Sequence, residues 1–366
     1  MSSPAKIWLQ RLQALPHPTQ RVGIMNVCGG HERSITMAGL RGLLPDYVDL
    51  IPGPGCPVCI CPEGDIHAAI RLGLEDQAIV VAFGDMLRVP INKKAQARSL
   101  EAAHAAGADI RPIASPMEAV AIAQQHADRN VVFFAAGFET TMAPVAAMLA
   151  QGMPENLSVW SAGRLTWPAV EMLLKSGDAG FDALVAPGHV ATVMGPEEWS
   201  FVAEDFNLPT AVAGFEPDSL LAAFYSVLRQ KQERRVMLDN CYPEVVRSGG
   251  NPMAKKLMAE SFSVVDAPWR GIGTLPASGL AIAPAYAQWD ARERFPHQVK
   301  DEGDSEMPPG CDCAGVVLGK IKPLECRLYE TTCTPRSPVG PCMVSDEGAC
   351  RIWWSGGKRK GDTVLP

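Results

Sequence analysis

Six of the eleven cysteines in this 366-residue chain fall between residues 311 and 350. Cys313, Cys326, Cys333 and Cys350 give the spacing C-x12-C-x6-C-x16-C, with Cys311 and Cys342 as further thiols. Thiolates are soft donors, and four of them suit either Zn²⁺ or an iron–sulfur cluster. Structural zinc sites generally take two ligands from one tight C-x2-C turn, which pre-forms half of the tetrahedron. No such turn occurs in this segment, so the wide spacing favours a [4Fe–4S] cluster over zinc. The flanking Pro/Gly loops "KPLEC", "CTPRSPVGPC" and "SDEGAC" can present backbone N–H groups to sulfur, which tunes a cluster's potential.

Two further groups lie early in the chain. In "NVCGGHER", residues 26–33, Cys28 precedes two glycines and His31. Glycines let backbone approach a ligand closely, and a nearby helix start can lower a thiol's pKa. Cys28 reads either as a nucleophile or metal ligand, with His31 as base or supporting partner, or as a buried cysteine beside a tight turn. In "GPGCPVC", residues 53–59, Cys56 and Cys59 form a C-x-x-C pair, with Cys61 two positions on. That spacing permits a reversible disulfide or two ligands of one metal, while a Pro/Gly loop is also a structural feature in its own right. "GFETT" and "PGHV" carry Glu139 and His189, which are either proton carriers in a shared cleft or structural residues. Cys241 stands alone.

These groups must be positioned by something, and the pattern between them is regular. "RVGIMNV", "YVDLI", "AIVVAF", "ADIRPIA", "NVVFFAA", "NLSVWSA", "FDALVAP" and "TAVAGFEP" read as strands. "GDIHAAIRLGLE", "AQARSLEAAHAAG", "PMEAVAIAQQHA", "WPAVEMLLKSG", "EEWSFVAEDF" and "DSLLAAFYSVLRQKQ" read as helices. Such alternation means βαβ units and parallel sheets. "AAGFETT" and "VAGFEPD" echo one another after apolar strands, which fits two similar lobes. The expected fold is α/β, with two parallel-sheet (Rossmann-like) lobes and a smaller cysteine-rich domain carrying an iron–sulfur cluster. The expected boundaries are 21–128, 129–235, and a third domain from 1–20 with 236–366, whose cysteine-rich tail follows the acidic linker 301–310. In open α/β sheets ligands bind beyond the carboxyl ends of strands, where Cys28, Cys56, Glu139 and His189 fall.

Bulk composition narrows the class. The net charge of −7 and pI near 5.6 argue against nucleic acid or an anionic membrane as partner. The first twenty residues lack a signal-peptide pattern, and no apolar run reaches spanning length. A cytoplasmic location is expected, where clustered cysteines bind metal or do redox chemistry more often than they form a disulfide framework. No dinucleotide fingerprint, phosphate loop, radical-cluster motif or nucleophile elbow is present.

"CGGH", "GPGCPVC", "GFETT", "PGHV", "AGFEP", "WRGIG" and "SDEGAC", in this order, resemble the hydrogenase maturation factor HypD family, from about residue 21 to 354. The resemblance implies a scaffold of two α/β domains and a cluster-bearing third. With the small chaperone HypC it would assemble the Fe(CN)₂CO unit of [NiFe]-hydrogenase, using cyanide delivered through HypE and HypF, for transfer to the hydrogenase large subunit. It also implies that Cys28 binds iron and that Cys56 and Cys59 are a redox pair in the cleft. Cys313, Cys326, Cys333 and Cys350 would ligate the [4Fe–4S] cluster, and His31, Glu139 and His189 would line the site.

The match has departures. Arg33 stands where the family often has a second histidine, Gly163 replaces another common histidine, and Cys61 and Cys241 look like additions. Two other readings compete: a cluster-dependent disulfide reductase acting on a partner protein, and a zinc-stabilised α/β binding module.

Overall fold

The strand "VGIMNVC" is almost wholly buried along its length, as a parallel strand covered on both faces by helices must be. The structure is a computed structural model that describes residues 4–177, 179–299 and 307–361. Residues 301–306 of the expected acidic linker lie outside the described residues. Its strands are β1 (Val22–Cys28), β2 (Val48–Gly55), β3 (Ile79–Phe83), β4 (Ile110–Ile113), β5 (Val131–Gly137), β6 (Leu157–Arg164), β7 (Ala183–Pro187), β8 (Thr210–Ala213), β9 (Leu238–Asn240), β10 (Phe262–Trp269) and β11 (Gly273–Ile282). They form two sheets, β2-β1-β7-β8-β9 (sheet A) and β10-β11-β6-β5-β3-β4 (sheet B). Sheet A is parallel throughout. Sheet B is parallel except for the β10–β11 hairpin, whose second strand pairs antiparallel with β6. The α/β class with parallel βαβ units is therefore observed.

The strands do not divide at residue 128. β1 and β2 share sheet A with β7 and β8, whereas β3 and β4 share sheet B with β5 and β6. The chain passes from A to B after β2, returns at β7, and goes back to B with β10 and β11. Alternation of strand and helix identifies the units but carries no information on which strands pair. The cysteine-rich unit is also smaller than expected. β9 belongs to sheet A and β10–β11 to sheet B, and the N-terminal helix Pro4–Gln13 packs on the helix Pro217–Glu233 of the sheet A lobe, with Trp8 against Tyr225. What remains is the tail, residues 307–361.

The tail is wedged against both lobes. Its helix Ala349–Ser355 docks on the helix Gly29–Met37, where Trp353 Nε1 donates to Glu32 (2.7 Å) and Arg41 pairs with the same carboxylate (2.8 Å). Toward sheet B, Ser345 Oγ donates to Asp85 (3.0 Å) and Arg88 donates to the carbonyl of Pro335 (3.0 Å). One apolar core runs from a face of sheet B through Cys56, Cys59 and Cys61 into Cys313, Cys326, Cys333, Cys342 and Cys350. The opposite face of sheet B and the two faces of sheet A form separate cores.

Candidate functional site

β1 and β2 end side by side. Cys28 pairs with Gly55 across an irregularity that inserts one extra residue into β2, and bulges of this kind re-aim a strand end. Position 55 must be glycine, because a Cβ there would collide with the carbonyl of Val27 and lie 2.6 Å from the Cα of Cys28. Pro52 and Pro54 are tolerated because β2 is the edge strand of its sheet. The very next residue is Cys56, which caps the short helix Pro57–Ile60 and is joined to Cys59 by a disulfide, Cα–Cα 5.3 Å. Its sulfur also accepts the backbone N–H of Cys59 (3.2 Å).

A narrow crevice opens at this point, lined by Cys28, Gly53, Cys56, Cys59, Cys342 and Glu347 among others. Sequence reasoning set Cys342 aside as a spare thiol, yet it is the tail residue closest in role to the early cysteines. It accepts hydrogen bonds from the thiols of Cys313 and Cys350 and from the backbone N–H groups of Cys350 and Ala349, which hold its thiol well below the ordinary range. The protons are held by its partners: hydrogen bonding to Cys342 and burial push both Cys313 and Cys350 well up. Cys342 thus joins the tail thiols to the crevice that contains Cys28 and the disulfide. The signal available in the sequence, six thiols in one Pro/Gly-rich segment, gives all six the same weight.

Cys28 is partly exposed. The protein packed around its sulfur, and then the carboxylate of Glu347, push its thiol up to about 12, against a smaller opposing pull from the backbone N–H groups of His31 and Gly30. The expectation that the helix start would lower this pKa is therefore overturned: desolvation and a like-signed neighbour outweigh two N–H dipoles. Glu347 is itself pushed up to about 7 by desolvation and by Asp85, with Arg33 pulling it down. Arg33, which replaces a histidine common in the resembling family, thus acts on the carboxylate at the mouth of the crevice.

The three other expected residues do not line the crevice. His31 is buried, and its Nε2–H donates to the carbonyl of Ala213 (3.0 Å), while Nδ1 has no partner among the described residues. Burial brings its pKa down to about 4, so the ring is neutral near pH 7. His189 is exposed on the surface and stacks on Phe215 at 3.9 Å, and His31 meets the same ring at 5.0 Å. Phe215 of "AGFEP" therefore connects the two histidines. Glu139 lies apart at the end of β5 in sheet B, where it accepts from Thr166 N–H (2.7 Å) and Thr166 Oγ1 (2.6 Å) and is raised by burial. A side chain at Gly163 would run into Met142, so this chain has no room for the histidine found there in the resembling family. Cys61 is buried and raised by desolvation and by Asp65. Cys241 sits by Asp239, away from the other thiols.

Six thiols with no carboxylate partner among the hydrogen bonds of the described residues form a soft donor set, and Cys333 accepts the Val339 N–H (3.4 Å). Both features fit a thiolate-ligated iron–sulfur cluster. Among the described residues no three His, Cys, Asp or Glu side chains converge as they would around one metal ion. The four thiolates of a cluster bind four different irons and stand further apart. Among the described residues no helix is long and apolar enough to cross a membrane.

The HypD family model, described as "Hydrogenase formation hypA family", matches residues 4–357. Hydrogenase maturation factor HypD2 of Bradyrhizobium diazoefficiens is 40% identical over 95% of this chain and 92% of its own length. Hydrogenase maturation factor HypD of Rhizobium leguminosarum is 39% identical over 97% and 94%, and that of Escherichia coli 40% over 94% and 92%. The chain belongs to the HypD family of hydrogenase maturation factors.

Proposed function

We propose that the chain is a cytoplasmic assembly scaffold that holds iron as cargo at Cys28 while the Fe(CN)₂CO unit of a [NiFe]-hydrogenase is built. The observation that carries this reading is the crevice in which Cys28, the Cys56–Cys59 disulfide and Cys342 meet. A cargo iron bound there meets one partly exposed thiol, which leaves its other positions open to a cysteine of a HypC-like chaperone and to small diatomic ligands. A HypE-like protein, itself supplied by HypF, would deliver cyanide, and the hydrogenase large subunit would receive the product.

The chain's own residues divide the work. Cys28 binds by giving up its proton to solvent as the metal arrives, since only a thiolate ligates. Reduced by an external low-potential electron-donor protein, the Cys56–Cys59 disulfide would gain two electrons and, from solvent, two protons to become two thiols. Cys342 extends sulfur contact from this pair to the tail. Cys313, Cys326, Cys333 and Cys350 would hold a [4Fe–4S] cluster, with Cys311 and Cys342 adjoining, and such a cluster supplies one-electron redox chemistry.

Infrared spectra of protein purified anaerobically with a HypC-like partner test the proposal. Cyanide and CO bands are expected in the wild type and their loss in Cys28→Ala; bands that survive in that variant would defeat the iron assignment. The disulfide beside Cys342 also suits a reductase of a partner protein. Under that reading Cys56→Ser abolishes partner reduction and Cys28→Ala leaves it intact.

A further inference from the structure

The motif "WRGIG" has no part in the function so far. It forms the turn of the β10–β11 hairpin, yet Arg270 at the tip of that turn is only 1% exposed. A hairpin tip is ordinarily where an arginine reaches water. Here the turn is driven into the seam between the sheet B lobe and the tail: a Cβ on Gly271 would lie 3.2 Å from the Cβ of Ala314, in the helix Cys313–Val317. The backbone N–H of Arg270 donates to the carbonyl of Ile60 (2.9 Å), in the loop that carries Cys56, Cys59 and Cys61.

The guanidinium is half satisfied. Nη2 donates to the carbonyl of Pro90 (2.8 Å) and to Oε2 of Glu63 (3.3 Å). Nε and Nη1 are buried without a hydrogen-bond partner among the described residues. Buried N–H groups of a cation are costly to leave unmet, and native structures rarely do so without a reason. Besides Glu63, the groups that act on this charge are the thiols of Cys313, Cys61 and Cys311. Burial and then Asp65 keep the Cys61 thiol protonated. Sulfur at Cys313, one of the four thiols assigned to the cluster, becomes a strong acceptor once it is deprotonated to hold a metal centre.

We propose that Arg270 is a positioning residue of the tail centre, whose unmet guanidinium N–H groups donate to sulfur at Cys313 and whose backbone ties that centre to the Cys56–Cys59 loop. The inference rests on the reading of the tail as a [4Fe–4S] site. Hydrogen bonds to ligand sulfur favour the more negative, reduced state and so raise the potential. Lysine keeps the charge but not the planar fork, so it replaces this role only in part.

The test uses full-length protein grown with arginine labelled with ¹⁵N in the guanidino group alone, reduced anaerobically and read by pulsed EPR. A weak ¹⁵N coupling is expected in the wild type and is lost in Arg270→Lys grown the same way. Redox titration of the same samples and of Arg270→Gln should shift reduction unfavourably by about tenfold in Arg270→Gln, about 59 mV for one electron, and by less in Arg270→Lys. A loaded wild type with no ¹⁵N coupling, or a coupling that persists in Arg270→Lys, overturns the role of Arg270 and leaves the cluster in place. Wild-type protein that takes up neither iron nor sulfide defeats the cluster reading and this inference with it. The wild-type spectrum decides even where a variant fails to fold.

Discussion

At the carboxyl end of sheet A, β1 and β2 run out into Cys28 and the Cys56–Cys59 loop. At the carboxyl end of sheet B, β5 and β6 run out into Glu139 and Thr166. The topology is the same, and open α/β sheets place their ligands at such ends. The chemistry differs. Glu139 is satisfied within its own lobe by two hydrogen bonds from Thr166, and its neighbour Glu198 is pushed up to about 9 by burial and then by Glu139. The hydrogen bonds of Glu139 close within sheet B, while Glu198, from the segment that follows β7 of sheet A, competes with it for ionisation. Cys28 and the disulfide instead complete their surroundings with Cys342 and Glu347, from a separate unit of the chain. The strand end of sheet A is the one that a separate unit of the chain finishes.

The sharpest way to break this difference is at the glycines that shape each end. In Gly55→Ala the new Cβ meets backbone, the carbonyl of Val27 and the Cα of Cys28, and neither can turn aside. We expect a loss on the order of 4 kcal/mol, at the exceptional end of single substitutions, seen as a large drop in the urea midpoint. A variant within ~1 kcal/mol of wild type would show that the β1–β2 end is not held as tightly as described.

The same contrast marks what could be read from the sequence. Apolar runs located β1 to β8 and their helices because most of these strands are buried on both faces and the signal is continuous. β10 was not legible: it is an edge strand with Val264 and Val265 exposed and Pro268 within it, so no alternation survives. The partition of strands between sheets was out of reach, since pairing joins residues far apart in sequence. Among the site residues, Cys28 and the C-x-x-C pair stand out because glycine and proline punctuate them. Cys342 and Arg270 do not, for their importance lies only in what the fold places beside them. Glu139 followed the strand-end rule faithfully and belongs to the other sheet.

His31 sharpens the comparison through pH. Its folded pKa is about 4 against the ordinary 6.5, so between those values the unfolded chain takes up a proton that the folded chain refuses. Stability from this group is fully present above pH 6.5 and is lost as pH falls toward 4. The difference corresponds to about 3 kcal/mol. Urea unfolding across that window should show a slope that His31→Gln largely removes. An unchanged slope in the variant would mean that the buried ring is not what destabilises the sheet A lobe in acid.

The smallest effect is expected at the matching position of sheet B. A Cβ at Gly163 would lie 2.7 Å from Cε and 2.9 Å from both Cγ and Sδ of Met142, a flexible side chain rather than backbone. Methionine has rotamers to spare and yields at modest cost, so Gly163→Ala should lose about 1 kcal/mol. Because one side chain carries the conflict, the loss should shrink when measured in a Met142→Ala background, as the non-additivity of neighbouring sites requires. Equal losses in both backgrounds would place the strain in β6 itself. Sheet B would then be as rigid at its carboxyl end as sheet A is at Gly55, and the contrast between a closed end and an unfinished one would rest on chemistry alone.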